Sequence, residues 1–218
     1  RSSDLPLSIE EGLSQGMIYD LLQTKDGYLW FATKDGLNRY DGYRFKVFFN
    51  DPYDPWSLSS NDVTALYEDR KGRLWVGTQS NGLDLYDPAT KRFYHFSYKA
   101  GQKNGLSGNS ITHIFEDPGG TIWVANNNRY LDRFKLPDVL PDHPDLNQTA
   151  QWTGAPIHVP AIWSSTNKIK VLSDGRILME LGEEIREIDW KNGATHLLHL
   201  PPTPEGDNRA YAFMEDKK

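Results

Sequence analysis

Asp69-Arg70-Lys71-Gly72-Arg73-Leu74-Trp75-Val76-Gly77-Thr78, followed by Gly82-Leu83 and Tyr86-Asp87, decides the fold. The same pattern stands upstream as Asp26-Gly27-Tyr28-Leu29-Trp30-Phe31-Ala32-Thr33, then Gly36-Leu37 and Tyr40-Asp41. It returns downstream as Asp117-Pro118-Gly119-Gly120-Thr121-Ile122-Trp123-Val124-Ala125, then Leu131 and Phe134. Trp30, Trp75 and Trp123 are spaced by 45 and 48 residues. A unit of that length repeated in register is the signature of an array architecture.

Each unit reads as four strands. Leu13-Ser14, Leu58-Ser59 and Leu106-Ser107 each stand 17 residues before their tryptophan. Apolar strands follow at Ile18 to Leu22, Val63 to Tyr67 and Ile111 to Phe115. A turn then ends in Gly27, Gly72 or Gly120, where glycine supplies the positive φ a tight turn needs. The tryptophan strand comes next. Asp35-Gly36 or Asn81-Gly82 leads to a third strand, Leu37 to Tyr40 or Leu83 to Tyr86. The fourth is Arg44 to Phe49 or Arg92 to Tyr98. Four antiparallel strands make one propeller blade. The expected fold class is therefore all-β, a partial β-propeller.

Six segments are expected: an N-terminal strand over 1–12, where Leu5, Leu7 and Ile9 alternate; blade 1 over 13–57; blade 2 over 58–105; blade 3 with a long loop over 106–165; a degenerate blade 4 over 166–208; and the first strand of a fifth blade over 209–218. Blade 4 carries Leu178 at the tryptophan position. The stretch Ala210 to Asp216 matches Val63 to Asp69, so the chain reads as a fragment of a longer propeller. A dimer that pairs raw sheet edges and a truncated chain are both compatible with this ending. The loop of about 136–165 holds five prolines. Loops so long are usually functional or disordered.

Composition narrows the function classes. There are 24 Lys and Arg against 30 Asp and Glu, a net charge of −6, and no cysteine. A phosphate-tracking surface needs clustered cations, and no basic run is longer than Lys217-Lys218, so nucleic acid is not an expected partner. Disulfides, thiolate metal sites and cysteine nucleophiles are excluded. No stretch approaches the roughly 18 apolar residues of a membrane span, and Arg1 to Gly12 does not read as a signal peptide. Aromatic content of 12% suits a β-rich fold.

The repeat resembles the two-component regulator propeller family, with Asp69 to Asp87 nearly an ideal copy. The first copy departs by placing Asp26 directly before Gly27, the third loses the Tyr-Asp end, and the fourth loses its tryptophan. The resemblance implies the periplasmic sensor region of a bacterial hybrid histidine kinase, in which two seven-bladed propellers and a β-sandwich precede the membrane helix. It also implies oligosaccharide sensing, with a possible oligosaccharide ligand and either a homodimer or the remaining blades as partner. Kinase, membrane and DNA-binding segments would lie outside this chain.

Recurrence assigns Trp30, Trp75 and Trp123 a shared structural task, filling the space between blades. Asp69 and Asp117 are expected to accept turn N–H bonds. Counting strands puts the glycine turns on one rim, the bottom, and leaves it plain. Loops 50–62, 99–110, 126–130 and 136–167 fall to the opposite, top rim, where binding on a rigid scaffold usually sits. There Asn126, Asn127, Asn128, Arg129 and Tyr130 replace the Thr-x-x-Asn-Gly pattern. Their amide and guanidinium groups suit sugar hydroxyls and the phenol ring an apolar sugar face; alternatively the asparagines only build a turn. Tyr53 and Trp56, Trp152 and Trp163 either stack on ligand or anchor loops. Arg39 and Arg133 share a repeat position and are expected to form ion pairs.

Catalytic signatures are missing: no Gly-x-Ser-x-Gly elbow, phosphate loop or zinc helix occurs. His196 and His199 would diverge in a strand, as would Glu183 and Glu184. No metal, cofactor or catalytic residue is expected. Three readings stay open: a non-catalytic extracytoplasmic sensor, a propeller lyase or glycosidase, and a structural dimerisation scaffold.

Overall fold

A computed structural model describes residues 7–102, 104–141, 144–159, 169–172, 174, 176–181, 184–189 and 194–198. Trp163, His199, Glu183 and the expected strand over 210–216 lie outside them. The described strands form four antiparallel sheets. Blade 1 comprises β1 (Ile18–Gln23), β2 (Leu29–Thr33), β3 (Gly36–Tyr40) and β4 (Phe45–Phe48). Blade 2 comprises β5 (Val63–Glu68), β6 (Leu74–Thr78), β7 (Leu83–Asp87) and β8 (Arg92–Phe96). Blade 3 has β9 (Ile111–Glu116), β10 (Ile122–Asn126), β11 (Tyr130–Lys135) and a split outer strand, β12 (Gln151–Trp152) and β13 (Ile157–His158). Blade 4 has β14 (Ile169–Val171), β15 (Ile177–Leu181), β16 (Glu184–Ile188) and β17 (Thr195–Leu198). The first strands β1, β5, β9 and β14 are neighbours in series, so they form the inner wall.

The core lies between blades, in three apolar clusters. Trp30 packs with Tyr86 and Phe93 of the next blade. Trp75 packs with Phe134 and Leu146 of blade 3. Trp123 packs with Ile177 and Met179 of blade 4. Each repeat tryptophan thus seals its own blade to the following one. A fully buried side chain of this size stabilises by several kcal/mol, at about 25 cal/mol per Å² removed from water.

Each indole N–H is paired. Trp75 Nε1 donates to Asp69 Oδ2 at 3.0 Å, and Trp123 Nε1 donates to Asp117 Oδ2 at 2.8 Å. The other carboxylate oxygens close the turns: Asp69 Oδ1 accepts from Lys71 N and Arg73 N, and Asp117 Oδ1 accepts from Thr121 N. In blade 1 the turn hydrogen bonds put Thr24, not Asp26, at this position. Its hydroxyl accepts from Trp30 Nε1 and donates to Asp26. Gly27, Gly72 and Gly120 all sit at positive φ in these turns.

Carboxylates also stitch blades together at the bottom. Glu68 Oε2 accepts from Lys25 N of blade 1, and Glu116 Oε2 accepts from Arg70 N of blade 2. At the next junction both partners are lost. Turn register puts Pro118, which has no N–H, at the donor position and Val171 at the acceptor position.

Three expectations need correction. Of the expected N-terminal strand, residues 1–6 lie outside the described residues, and the described part holds a 3-10 turn, Ile9–Glu11, closed by Gly12 at φ 105. The Glu10-Glu11-Gly12 sequence turns the chain there, and Ile9 folds back over Gly16. Residues 136–141 and 144–150 are not a top-rim loop. β11 runs from Tyr130 at the top to Lys135 at the bottom, where its ammonium donates to Gly119 O. The excursion therefore starts on the bottom rim, passes through the helix α1 (Leu146–Thr149) and returns as β12 and β13. Finally, Arg39 and Arg133 take part in no ion pair among the described residues. Each guanidinium lies near its repeat tryptophan, 5.8 Å from the Trp30 ring and 5.3 Å from the Trp123 ring. Each arginine stands directly across from its repeat tryptophan, so its cross-strand neighbour is aromatic rather than acidic, and the cation settles by the ring.

Candidate functional site

The top rim is held by a periodic clip. Asn38, Asp84 and Asp132 occupy equivalent buried places on β3, β7 and β11. Asn38 Oδ1 accepts from Ser14 N at 2.9 Å, Asp84 Oδ2 from Ser59 N at 2.8 Å, and Asp132 Oδ2 from Ser107 N at 2.9 Å. The recurring Leu-Ser is therefore the point at which the incoming chain crosses its blade, with Leu13, Leu58 and Leu106 buried beneath.

Asn126 belongs to this clip. It is fully buried, and its Nδ2 donates to Ser107 Oγ and Asp132 Oδ2. Its Oδ1 accepts from Asn128 N, and Asn128 Nδ2 donates to Ser107 O. Burial pushes the Asp132 carboxyl above its ordinary range, against the lowering effect of the Ser107 and Asn126 donors. Asn127 and Asn128 are exposed at the turn. Arg129 takes the left-handed conformation at φ 69, so Tyr130 enters the strand in place of Gly82. The Tyr130 ring packs against His158 at 5.1 Å. Much of this run builds the turn.

The remaining aromatic residues separate. Trp56 anchors its loop: its carbonyl accepts from Phe93 N, and its ring meets Tyr94 edge-on at 5.7 Å. Trp152 is not on the rim. It stands in β12 beside Phe134 and packs against the Phe96 and Phe134 rings in the space between blades 2 and 3. Tyr53 is 96% exposed on the top-rim loop.

Two clefts frame these loops. On the top rim, the connections between blades 1 and 2 and between blades 2 and 3 enclose about 550 Å³. Its wall includes Asp51, Asp54, Asn81, His95, Ser97 and Tyr98. Tyr98, 45% exposed, is the aromatic side chain of that wall, its backbone N–H held by Asn109 Oδ1. His95 bridges strand and loop. Its Nδ1 lies 2.7 Å from Asp84 Oδ1 and its Nε2 3.0 Å from Pro55 O. Burial acts to lower the His95 pKa, but the Asp84 hydrogen bond and charge and the Pro55 carbonyl outweigh it, and the net shift is upward.

The second cleft, about 660 Å³, opens on the bottom rim among Lys71, Arg73, Asp87, Arg92 and Asp138. That rim is not plain, because the excursion after β11 overhangs blade 2; Lys71 pairs with Asp138 and Arg73 with buried Asp69. Among the described residues no three His, Cys, Asp or Glu side chains gather as a metal would require. No helix among them is long and apolar enough to cross a membrane.

Sequence reasoning missed His95, Tyr98 and Asn81. The readable signal was position: the first two close the fourth strand of blade 2 and the third sits in its Asn-Gly turn, all beside loops 50–62 and 99–110.

The arrangement is that of a rigid repeat scaffold carrying loops on one rim, and comparison with known proteins agrees. Residues 12–35, 57–80 and 105–128 match the model of the two-component regulator propeller family. A segment of 49 residues is 49% identical to a histidine kinase of Formosa agariphila, covering 22% of this chain and 4% of that protein. The fold is similar to the crystallised extracellular domain of a hybrid two component system from B. thetaiotaomicron, with a TM-score of 0.70 and 25% identity over 93% of this chain and 27% of that one. The chain thus spans about a quarter of that domain. Virginiamycin B lyase from Staphylococcus aureus shares the fold at 16% identity and a TM-score of 0.58, over 86% of this chain and 56% of the lyase.

Proposed function

We propose that this chain is the ligand-sensing part of an extracytoplasmic propeller in a two-component receptor, and that an oligosaccharide binds in the top-rim cleft. The observation that carries the reading is the cleft itself: about 550 Å³ between two blade connections, on a scaffold similar to a receptor's extracellular domain. Tyr98, with exposed Tyr53 on the neighbouring loop, offers ring faces to the apolar side of a sugar. Asp51, Asp54 and Ser97 offer acceptors and a donor to its hydroxyls. Binding across two blade connections gives differential contact with their relative positions, which is what a signal to a distant kinase segment requires. Membrane and kinase segments belong to the longer receptor, and a second copy or further blades would complete the ring.

The lyase or glycosidase reading has less support. The lyase likeness concerns fold alone, and folds host unrelated functions. A purely structural scaffold predicts no ligand at all. Calorimetric titration of the 218-residue chain with a panel of neutral and acidic oligosaccharides separates these readings. One member should bind, and Tyr98→Ala should weaken it by about tenfold, the size of one lost aromatic stack. Turnover of the bound sugar would favour the enzyme. Silence across the panel, or an unchanged affinity in Tyr98→Ala, would defeat the proposed site.

A further inference from the structure

The contacts of His95 count protons. Both ring nitrogens face acceptors, Asp84 Oδ1 at 2.7 Å and Pro55 O at 3.0 Å. A peptide carbonyl cannot donate, and an ionised carboxylate cannot either. A neutral imidazole has one N–H and satisfies one of the two. Satisfying both requires one further proton on the pair, whether it rides on the imidazole or on the carboxyl. Asp84 is fully buried, so an uncompensated charge there would be costly.

We propose that Asp84 and His95 form a pH-sensitive latch on the top-rim cleft, in which the shared proton ties the blade 1–2 connection down at Pro55 and its loss frees residues 51–55. This rests on the top-rim reading only for its consequence for ligand; the latch itself is defined without one.

The neighbouring blades supply the contrast. Blade 1 has Asn38 opposite Val47 where blade 2 has Asp84 opposite His95. Asn38 still accepts from Ser14 N, so the clip needs no charge. In blade 3, Asp132 is satisfied by Ser107 and Asn126. Among these three blades the histidine is peculiar to blade 2, and it reaches a loop that lines the cleft.

Of the charged groups around His95, Asp84 is the one that holds the proton. From β7, Asp84 acts directly on His95. From the connecting loop, Asp51 and Asp54 line the same cleft. From the helix α1, whose Asn147 Nδ2 reaches the His95 carbonyl at 3.5 Å, the nearest charged group is exposed Asp145 at the N-cap. The net upward shift of His95 fixes the direction. A group whose folded pKa is raised contributes fully below its unfolded value of about 6.5 and loses that contribution as pH rises through the folded value. The latch is therefore shut in mild acid and opens toward alkaline pH. The Trp56 carbonyl bond to Phe93 N and the Ser57 hydroxyl, which accepts from Asp51 N and lies within hydrogen-bond distance of the Asp51 and Asp54 carbonyls, hold the loop's far end, so the response is confined to residues 51–55 and centred on Pro55.

The test uses the 218-residue chain without ligand. His95 is titrated by NMR from about pH 5 to about pH 9, and hydrogen-exchange protection of the Asp51, Tyr53 and Asp54 amides is followed in parallel. The expected result is a His95 pKa above its usual value and a loss of loop protection of about tenfold through the same midpoint. Asp84→Asn should lower that pKa and His95→Val should abolish the pH dependence; the double variant Asp84→Asn/His95→Val recreates the Asn and Val pair with which blade 1 folds and should show no pH dependence either. A His95 pKa at or below the ordinary value, or the same pH dependence in His95→Val, would overturn the latch. Failure of sugar binding is a separate result that leaves both readouts in place.

Discussion

Trp75 and Leu178 hold the same repeat position in different surroundings. Trp75 is fully buried against the next blade, with its N–H on Asp69, whereas Leu178 is half-buried. Trp75→Ala opens a cavity between blades 2 and 3 and leaves the buried Asp69 without its indole donor, so it should cost about 3–5 kcal/mol. Leu178→Ala should cost clearly less. Thermal melts of the two variants check the order; equal losses would contradict the assignment of the tryptophan to the blade interface. At this scale the sequence was legible wherever a residue recurred. Gly72, Asp69 and Trp75 declared themselves by repetition, and the Leu-Ser pair marked a clip whose partner, Asp84, lies 25 residues away. Arg39 and Arg133 recurred too, but recurrence does not reveal whether a cation meets a carboxylate or a ring.

Among the strands, the junctions differ in how they are stitched. Glu68 and Glu116 each accept a backbone N–H from the preceding blade, and Arg70 adds an ion pair to Glu116 at 3.7 Å. Glu116→Ala should therefore weaken the junction between blades 2 and 3 by about 1–3 kcal/mol, since Arg70 N–H loses its acceptor. Urea midpoints are the check, and Val171→Glu makes an informative companion: Pro118 offers no N–H, so no matching gain is expected. The outer strand of blade 3 shows why element boundaries escaped the sequence. Gln151–Trp152 and Ile157–His158 pair with opposite ends of β11, and Thr153 to Pro156 interrupts them. Each piece is two residues, too short to carry a period, and Gly154 and Pro156 read as loop. Once that strand was read as loop, Trp152 was placed on the rim, although its ring belongs to the core.

At the level of the whole chain, the four-sheet order and the inner wall of β1, β5, β9 and β14 follow from the repeat, because each blade must bury its tryptophan face on a neighbour. The site follows less directly. Asn126 to Tyr130 stood out as a break in pattern, yet Asn126 is spent on the clip and Tyr130 on His158. The cleft arises from two blade connections that meet only in space, so His95 and Tyr98 carried no signal beyond their strand ends. The central claim is that ligand is read on the top rim. Hydrogen–deuterium exchange of the 218-residue chain with and without an oligosaccharide found to bind in the titration tests it directly. The account predicts new protection at residues 50–59, 79–82 and 95–98. Protection confined to the bottom-rim cleft around Arg73, Arg92 and Asp138 would contradict it.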